Sequence, residues 1–469
     1  MRKVLFFLLV TFHVLGQVDS TIVCIPCNQI VEDQAFTQLK NTWNQRPIKI
    51  VHVGDSHIQI GHFAKQIRDL LGQNGTLRGS GITFPYSLAK SIDGPWVKSK
   101  ASGVWVGDNL LSSKPKLDIG LTGFAVKTVD STAFISFQLR DSAPRFNEIR
   151  VWYIADSLSF TPDLGSNFTL KEVVHSGGRM GIAHFVSKST FSQFDLKLIR
   201  KDSIAREFQL HGVEFVNSKE NLEYHALGVS GAQFIHLIQH AKLWQEQLKL
   251  LNPDLLIFSY GTNEAYNGNF DSKNFTKQVS KFFDAIREIV PNVAIVVTSP
   301  PDTRSRERIP PKQVEVVESL SQLKSSFYDL NKVMGGFGSF QTWFDQNYFL
   351  KDKLHLNKDG YQLQAKLFML ALLGQLKPQW DLGPIESFVS DRVKLLYRKA
   401  AVSDSAQKDT IVIRPQEKII KKVKFHQVKK GDTFYSIAAR YHVRVEALIE
   451  QNRRHKSKTL QIGDRIRIK

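Results

Sequence analysis

Four short segments hold side chains that could together cut an ester. Ser56 stands in Gly54-Asp-Ser-His57, directly after Ile48–Val53, which alternates and then runs apolar as a strand entering a core does, and ahead of the helically spaced Gly61–Leu71. A serine at the carboxyl end of a strand and the start of a helix lies where open α/β sheets place their sites, and the helix start supplies N–H groups for an oxyanion. Asp352 and His355 stand three apart in Asp352-Lys-Leu-His355. That spacing lets a carboxylate orient an imidazole, which can then take a serine proton. Gly228-Val-Ser-Gly-Ala232 and Gly261-Thr-Asn-Glu264 each follow a further apolar run. Glycine permits close backbone approach, and an Asn amide can donate to a developing oxyanion. Each segment alone is a common turn or cap pattern; their order and placement carry the reading. The 14 histidines show no HExxH or comparable ligand spacing, so neither metal nor cofactor is implied.

The elements that must position these residues follow a regular rhythm. Runs of strand character lead into helical spacing at Tyr224–Leu227 before Ala232–Leu251, at Leu255–Ser259 before Phe270–Ile289, and at Ala294–Thr298 before Gln313–Met334. A last helix is predicted over Lys358–Leu373. Strands alternating with helices predict a parallel sheet covered on both faces. Between Lys114 and Asn217 the period changes to two: Ala133–Leu139, Glu148–Ile154, Ile182–Val186 and Phe194–Ile199 are short runs separated by Gly, Pro, Asn and Ser turns. This predicts an all-β insertion of sandwich type. Its aromatics either fill that core or bind sugar.

From about Ile48 to Leu373, apart from the insertion, the chain resembles the SGNH (GDSL-like) hydrolases, whose four blocks are present in the expected order. The resemblance implies a three-layer, flavodoxin-like α/β fold. It implies Ser56 as nucleophile, His355 as general base and Asp352 as its orienter. The Ser56 and Gly231 N–H groups and the Asn263 amide would form the oxyanion hole. His57 stands where many members have Leu, and Glu264 where many have Asp. Both occur in a subgroup similar to peptidoglycan O-acetylesterases, which also carries a β insertion. Arg78-Gly-Ser-Gly-Ile-Thr-Phe-Pro-Tyr86 and Met334-Gly-Gly-Phe-Gly-Ser339 resemble that subgroup too.

The chain's two ends add context. Arg2 and Lys3 precede the apolar run Val4–Leu15, so residues 1–20 read as a secretory signal peptide, too short for a membrane span. No later stretch is long and apolar enough to span, so no transmembrane segment is expected in the mature chain. Cys24 and Cys27 are the only cysteines and read as structural, free to close a small disulfide in an oxidising compartment. From Asp391 to Lys469 there are 21 Lys/Arg against 8 Asp/Glu, about two-thirds of the chain's net charge of +19. A basic end of this kind suits an anionic partner. Its first part, 391–422, reads as a linker. Its second, 423–469, predicts short strands at Val423–Val428 and Asp464–Ile468 around helices at Phe434–Tyr441 and Val445–Gln451.

Phe425-His-Gln-Val-Lys-Lys-Gly-Asp-Thr-Phe-Tyr-Ser-Ile-Ala438, Asn452 and Leu460-Gln-Ile-Gly-Asp-Arg-Ile-Arg-Ile468 resemble a LysM domain. That resemblance implies a βααβ fold holding N-acetylglucosamine-containing glycan near Gly431, Asp432, Thr433 and Phe434, with Ile437 in the small core. The organisation expected is therefore a hydrolase domain in two pieces, 21–113 and 218–390, interrupted by a β-sandwich at 114–217. The linker and glycan module follow.

Three functions fit. The first is an exported serine esterase, periplasmic or wall-associated, that removes acetyl groups from wall polysaccharide, with peptidoglycan as leading substrate and partner. The second is an O-acetyltransferase with the same triad, and the third is a non-catalytic wall-binding protein. Nucleic acid is not expected as partner, because the excess charge lies in a linker and a glycan module of an exported chain. Nothing in the sequence sets the oligomeric state.

Overall fold

A computed structural model describes residues 23–393, apart from 74–76, 78, 95, 141–144, 218–221, 306–307 and 377–379, and residues 425–468, apart from 430, 442, 444, 446–447, 450–451 and 453–459. The expected signal peptide and residues 394–422 of the expected linker lie outside the described residues. Residues 391–393 continue a helix that begins at 383.

The central sheet has six strands in the spatial order Ile30–Val31, Ser326–Tyr328, Ala294–Thr298, Leu255–Ser259, Ile48–Gly54 and Leu222–Gly228. The last five are parallel, and only the short first strand is antiparallel. Side chains alternate across such a sheet, and here each alternate set has its own core. Ile50, Ile257 and Val296 pack with Phe63, Ile67 and Phe368, from the helices His62–Gly72 and Lys358–Leu376. Val53, Phe258 and Val297 pack on the other face with Trp244, Phe283 and Val316. Those three come from Ala241–Leu251, Ser272–Ile289 and Gln313–Ser321. Near-continuous apolar strands are what burial on both faces demands.

Two expected boundaries differ. The helix predicted over Gln313–Met334 is interrupted by the parallel strand Ser326–Tyr328, with a further short helix at Leu330–Val333. Three residues are too short to show a period, so this strand left no alternation to read. The stretch Ala232–Leu251 is two helices, Phe234–Gln239 and Ala241–Leu251, meeting at His240.

The insertion is a pair of antiparallel sheets. One runs in the order Thr169–His175, Met180–Phe191, Phe146–Ile154, Phe208–Val216, Phe124–Thr128, Val106–Asn109, with Gly81–Thr83 also pairing to Phe208–Val216. The other runs Val97–Ser102, Phe134–Leu139, Gln193–Ile199, Thr161–Asp163. Strands at 81–83, 97–102 and 106–109 thus join these sheets from ahead of residue 114, where the insertion was expected to begin. Phe137 and Phe194 of the smaller sheet and Phe146 and Phe215 of the larger interleave, with Phe146 and Phe215 at 4.9 Å between ring centroids. These aromatics are core, not a sugar platform.

Cys24 and Cys27 are joined by a disulfide. At the other end, Phe425–Gln427 pairs antiparallel with Arg465–Arg467, and Phe434–Tyr441 is helical. Val428, Ile437, Leu448, Ile466 and Ile468 form its core, so Ile437 packs as expected. Asn452 fastens the closing strand: its Nδ2 donates to the carbonyls of Leu448 (2.7 Å) and Arg467 (2.9 Å), and its Oδ1 accepts from Arg467 N.

Candidate active site

Sheet register brings three of the four segments together before any side chain is considered. Gly54 is opposite Gly228 on one side and opposite Ser259 on the other. The loops bearing Ser56, Gly231 and Asn263 therefore leave the same edge of the sheet side by side. Close approach is enforced by glycine: a Cβ on Gly228 would lie 2.3 Å from the backbone N of Gln59, and one on Gly54 would lie 2.8 Å from the Ser259 carbonyl oxygen. Val229 N also donates to the Gly54 carbonyl at 3.0 Å.

Ser56 opens a four-residue helical turn, Ser56–Gln59, capped by Asp55, whose Oδ1 accepts from His57 N at 3.0 Å. The fourth segment arrives from the loop before the last helix. His355 places Nε2 2.8 Å from Ser56 Oγ and Nδ1 2.8 Å from Asp352 Oδ2. The three-residue spacing explains the second contact. Asp352 Oδ1 accepts from the Leu354 and His355 N–H groups, both at 3.0 Å, which folds the segment back so that Oδ2 faces the ring. Partial burial pushes the Asp352 carboxyl up, but these N–H groups and the His355 ring outweigh it and hold the group below its ordinary value.

The remaining expected donors are near but engaged differently. Asn263 Nδ2 donates to the Ala232 carbonyl at 3.0 Å and makes a long 3.4 Å contact with Asp55 Oδ2. Gly231 has φ +85° and only Leu111 within reach of a Cβ, at 3.4 Å, so its backbone lies open beside a loop ahead of the larger antiparallel sheet's central strands.

Residues 202–363 match the GDSL-like lipase/acylhydrolase family, and residues 426–469 match the LysM domain. The chain carries a GDSL-like acylhydrolase domain and a C-terminal LysM domain. The acylhydrolase match spans Gly231, Asn263, Asp352 and His355 but begins after Ser56, and the hydrogen bond between Ser56 Oγ and His355 Nε2 ties the serine to it. A multidomain esterase of Ruminococcus flavefaciens is 22% identical over 247 residues, which is 52% of this chain and 31% of that one. The chain thus spans under a third of that relative's length. A solved peptidoglycan O-acetylesterase shares the fold, with TM-score 0.57 and 20% identity over 73% of this chain and 96% of that one. A lipase/acylhydrolase from Enterococcus faecalis is 21% identical over 34% of this chain and 81% of that one, with TM-score 0.27.

Several residues of the acylhydrolase domain escaped the sequence reading of the site. Gln59 Oε1 accepts from Ser230 N while its Nε2 donates to Ser91 Oγ, fastening the segment beside Gly231 to the Ser56 turn. Glu264 Oε2 and Oε1 accept from Gly261 N (3.0 Å) and Phe234 N (2.8 Å), bridging two helix starts that flank the site. Its position after Asn263 marked it as unusual, yet nothing local showed that it reaches Phe234. Burial pushes the Glu264 carboxyl up to about 7. Burial also pushes Asp55 up to about 8, against the His57 N–H and with the Glu264 charge adding to it.

A second polar cluster offers a contrast. Glu214, Glu223 and His225 are buried close together between the two large sheets. Arg150 Nη1 lies 3.1 Å from Glu214 and 3.6 Å from Glu223, and Lys49 lies 4.0 Å from Glu223. Two cations beside two carboxylates leave the cluster balanced, as buried charge requires.

In the LysM domain the expected contact residues divide. The Asp432 carboxylate is turned inward, with Oδ2 2.7 Å from His426 Nε2 and 2.8 Å from Lys429 N, so it braces the loop instead of lining it. Thr433 and Ser436 cap one another reciprocally. Gly431 has φ +88°, with no described residue besides its chain neighbours within 4 Å of where its Cβ would lie, and Phe434 is half-buried against the core. Among the described residues, no helix is long and apolar enough to cross a membrane.

Proposed function

We propose that this chain is an exported, wall-associated serine esterase that removes O-acetyl groups from peptidoglycan. The observation that carries the reading is His355, whose two ring nitrogens hold Ser56 Oγ and Asp352 Oδ2 at 2.8 Å each. A ring so placed can take the Ser56 proton as Oγ attacks the acetyl carbonyl, while Asp352 holds the tautomer and steadies the imidazolium. His355 then gives the proton to the sugar oxygen as the ester C–O bond breaks, freeing the sugar hydroxyl, and water, activated by the same ring, releases acetate from the acyl-enzyme.

The Ser56 and Gly231 N–H groups and the Asn263 amide are the oxyanion donors in this reading. Each such donor contributes about 3 kcal/mol to the barrier reduction. The LysM domain would bind the N-acetylglucosamine backbone through the Gly431–Phe434 loop, with Asp432 bracing that loop from inside, and raise the local concentration of acetyl ester at Ser56. Export rests on the basic-apolar N-terminus, and wall association on the glycan module.

Acetate release from O-acetylated peptidoglycan tests the proposal. The full chain is expected to release acetate into water, and Ser56→Ala to release none above background. Release equal in the two would overturn it. Acetyl transfer to a chitooligosaccharide with little free acetate would replace hydrolysis by the transferase reading.

A further inference from the structure

His57 is a buried imidazole one residue from the nucleophile, and the reaction just described gives it no task. Its ring packs against that of His355, with centroids 5.2 Å apart and planes inclined by 49°. Its Nδ1 lies 2.8 Å from Tyr361 Oη. Tyr361 is wholly buried on the first turn of Lys358–Leu376, the helix that the His355 segment leads into. One side chain therefore touches the segment after the nucleophile, the ring of the base and the helix that follows the base.

On its far side, His57 Nε2 meets no protein partner among the described residues, and neither do Tyr260 Oη and Gln364 Oε1. These three residues line one cavity of about 20 Å³ behind the nucleophile turn. That is room for a single water, which needs two to four polar partners.

We propose that His57 is a positioning residue, held by Tyr361 through Nδ1 so that its ring keeps His355 aligned between Ser56 and Asp352. The inference rests on the esterase reading for its effect on turnover, but its geometric content does not. The groups facing His57 are His355, Asp352, Tyr361 and the capping carboxyl of Asp55. Burial pushes the His57 imidazole down to about 3, with the His355 charge pressing the same way and Asp352 opposing. A neutral neighbour leaves His355 free to become the imidazolium; a charged one at this distance would disfavour it. A leucine, which resembles the commoner residue here, would fill the space but give Tyr361 no partner.

The test uses the full chain with 4-nitrophenyl acetate and, independently, proton NMR of the hydrogen bond between His355 Nδ1 and Asp352, seen as a downfield signal. His57→Leu and Tyr361→Phe are expected to lower kcat about tenfold with KM within about twofold, and to broaden or abolish the signal. His57→Asn, which keeps a polar atom near the Nδ1 position, is expected to recover most of both. A purely space-filling role predicts the opposite order, with Leu equal to or better than Asn.

Wild-type kcat and an unchanged signal in His57→Leu would overturn the proposal. Should that variant fail to fold, Tyr361→Phe decides, since it removes only a hydroxyl: wild-type values there overturn it equally. If the wild type shows no Ser56-dependent hydrolysis, the esterase reading falls, and the NMR signal still decides whether His57 aligns His355.

Discussion

Among the described residues are two histidine–aspartate pairs of nearly equal length. In the acylhydrolase domain His355 Nδ1 meets Asp352 Oδ2 at 2.8 Å, and in the LysM domain His426 Nε2 meets Asp432 Oδ2 at 2.7 Å. What separates them is the other nitrogen. For His355 it faces the Ser56 hydroxyl at a partly open surface, whereas for His426 it faces Tyr441 Oη at 3.0 Å within a small buried core. Asp352 is half-exposed and Asp432 is 6% exposed. In the proposed reaction the same pair would serve proton transfer in one place while it anchors a loop in the other, and only its surroundings distinguish the two.

That contrast can be broken or sharpened by substitution. The largest effect expected is from Ser56→Ala, a loss of about 10³-fold or more in acetyl-ester turnover with LysM glycan binding unaltered. Asp352→Asn should lower kcat by about 10²-fold or more, since a tautomer no longer fixed by a carboxylate presents the wrong nitrogen state to Ser56. Asp432→Asn should leave turnover of a small soluble ester unchanged while weakening binding to chitooligosaccharide and lowering the LysM domain's melting temperature. Equal effects of the two Asp→Asn changes on turnover of the small ester would erase the distinction.

A smaller effect concerns the scaffold of the first pair. Gly228→Ala should lower stability by about 1–3 kcal/mol, because its Cβ meets the backbone of Gln59 with no flexible side chain to give way. Thermal unfolding and kcat should fall together, the nucleophile turn being what must shift.

A stability effect of similar size takes the form of a pH slope. Asp55 is raised to about 8 in the folded chain, so between about pH 4 and pH 8 the folded state holds a proton that the unfolded state releases. Its contribution therefore lowers stability progressively as pH rises through that window. Asp55→Asn should flatten the decline between pH 5 and pH 8 by on the order of 1–3 kcal/mol, measured by denaturant titration.

Much of this was legible in the sequence, for reasons that particular residues make plain. Ile48–Gly54 and Leu255–Ser259 are mostly apolar and end in glycine or a glycine-led turn, so strand, direction and site edge could be read together. Asp352 and His355 were legible because their contact is local, closed by hydrogen bonds three residues long. Ser326–Tyr328 was not, because three residues in an otherwise helical stretch carry no period. Gln59, Glu264 and Tyr361 were invisible as site residues because their partners, Ser230, Phe234 and His57, lie 171, 30 and 304 positions away. Asp432 was legible only as a loop residue resembling those of LysM domains; that its carboxylate turns inward to a histidine six residues earlier was not.

The most direct test of the central claim is the chemistry of Ser56 itself. A fluorophosphonate mixed with the full chain, followed by peptide mass spectrometry, is predicted to give one adduct, on Ser56, and none when His355 is changed to Ala. Absence of an adduct in the wild type, or an adduct on another serine with Ser56 unmodified, would contradict the account.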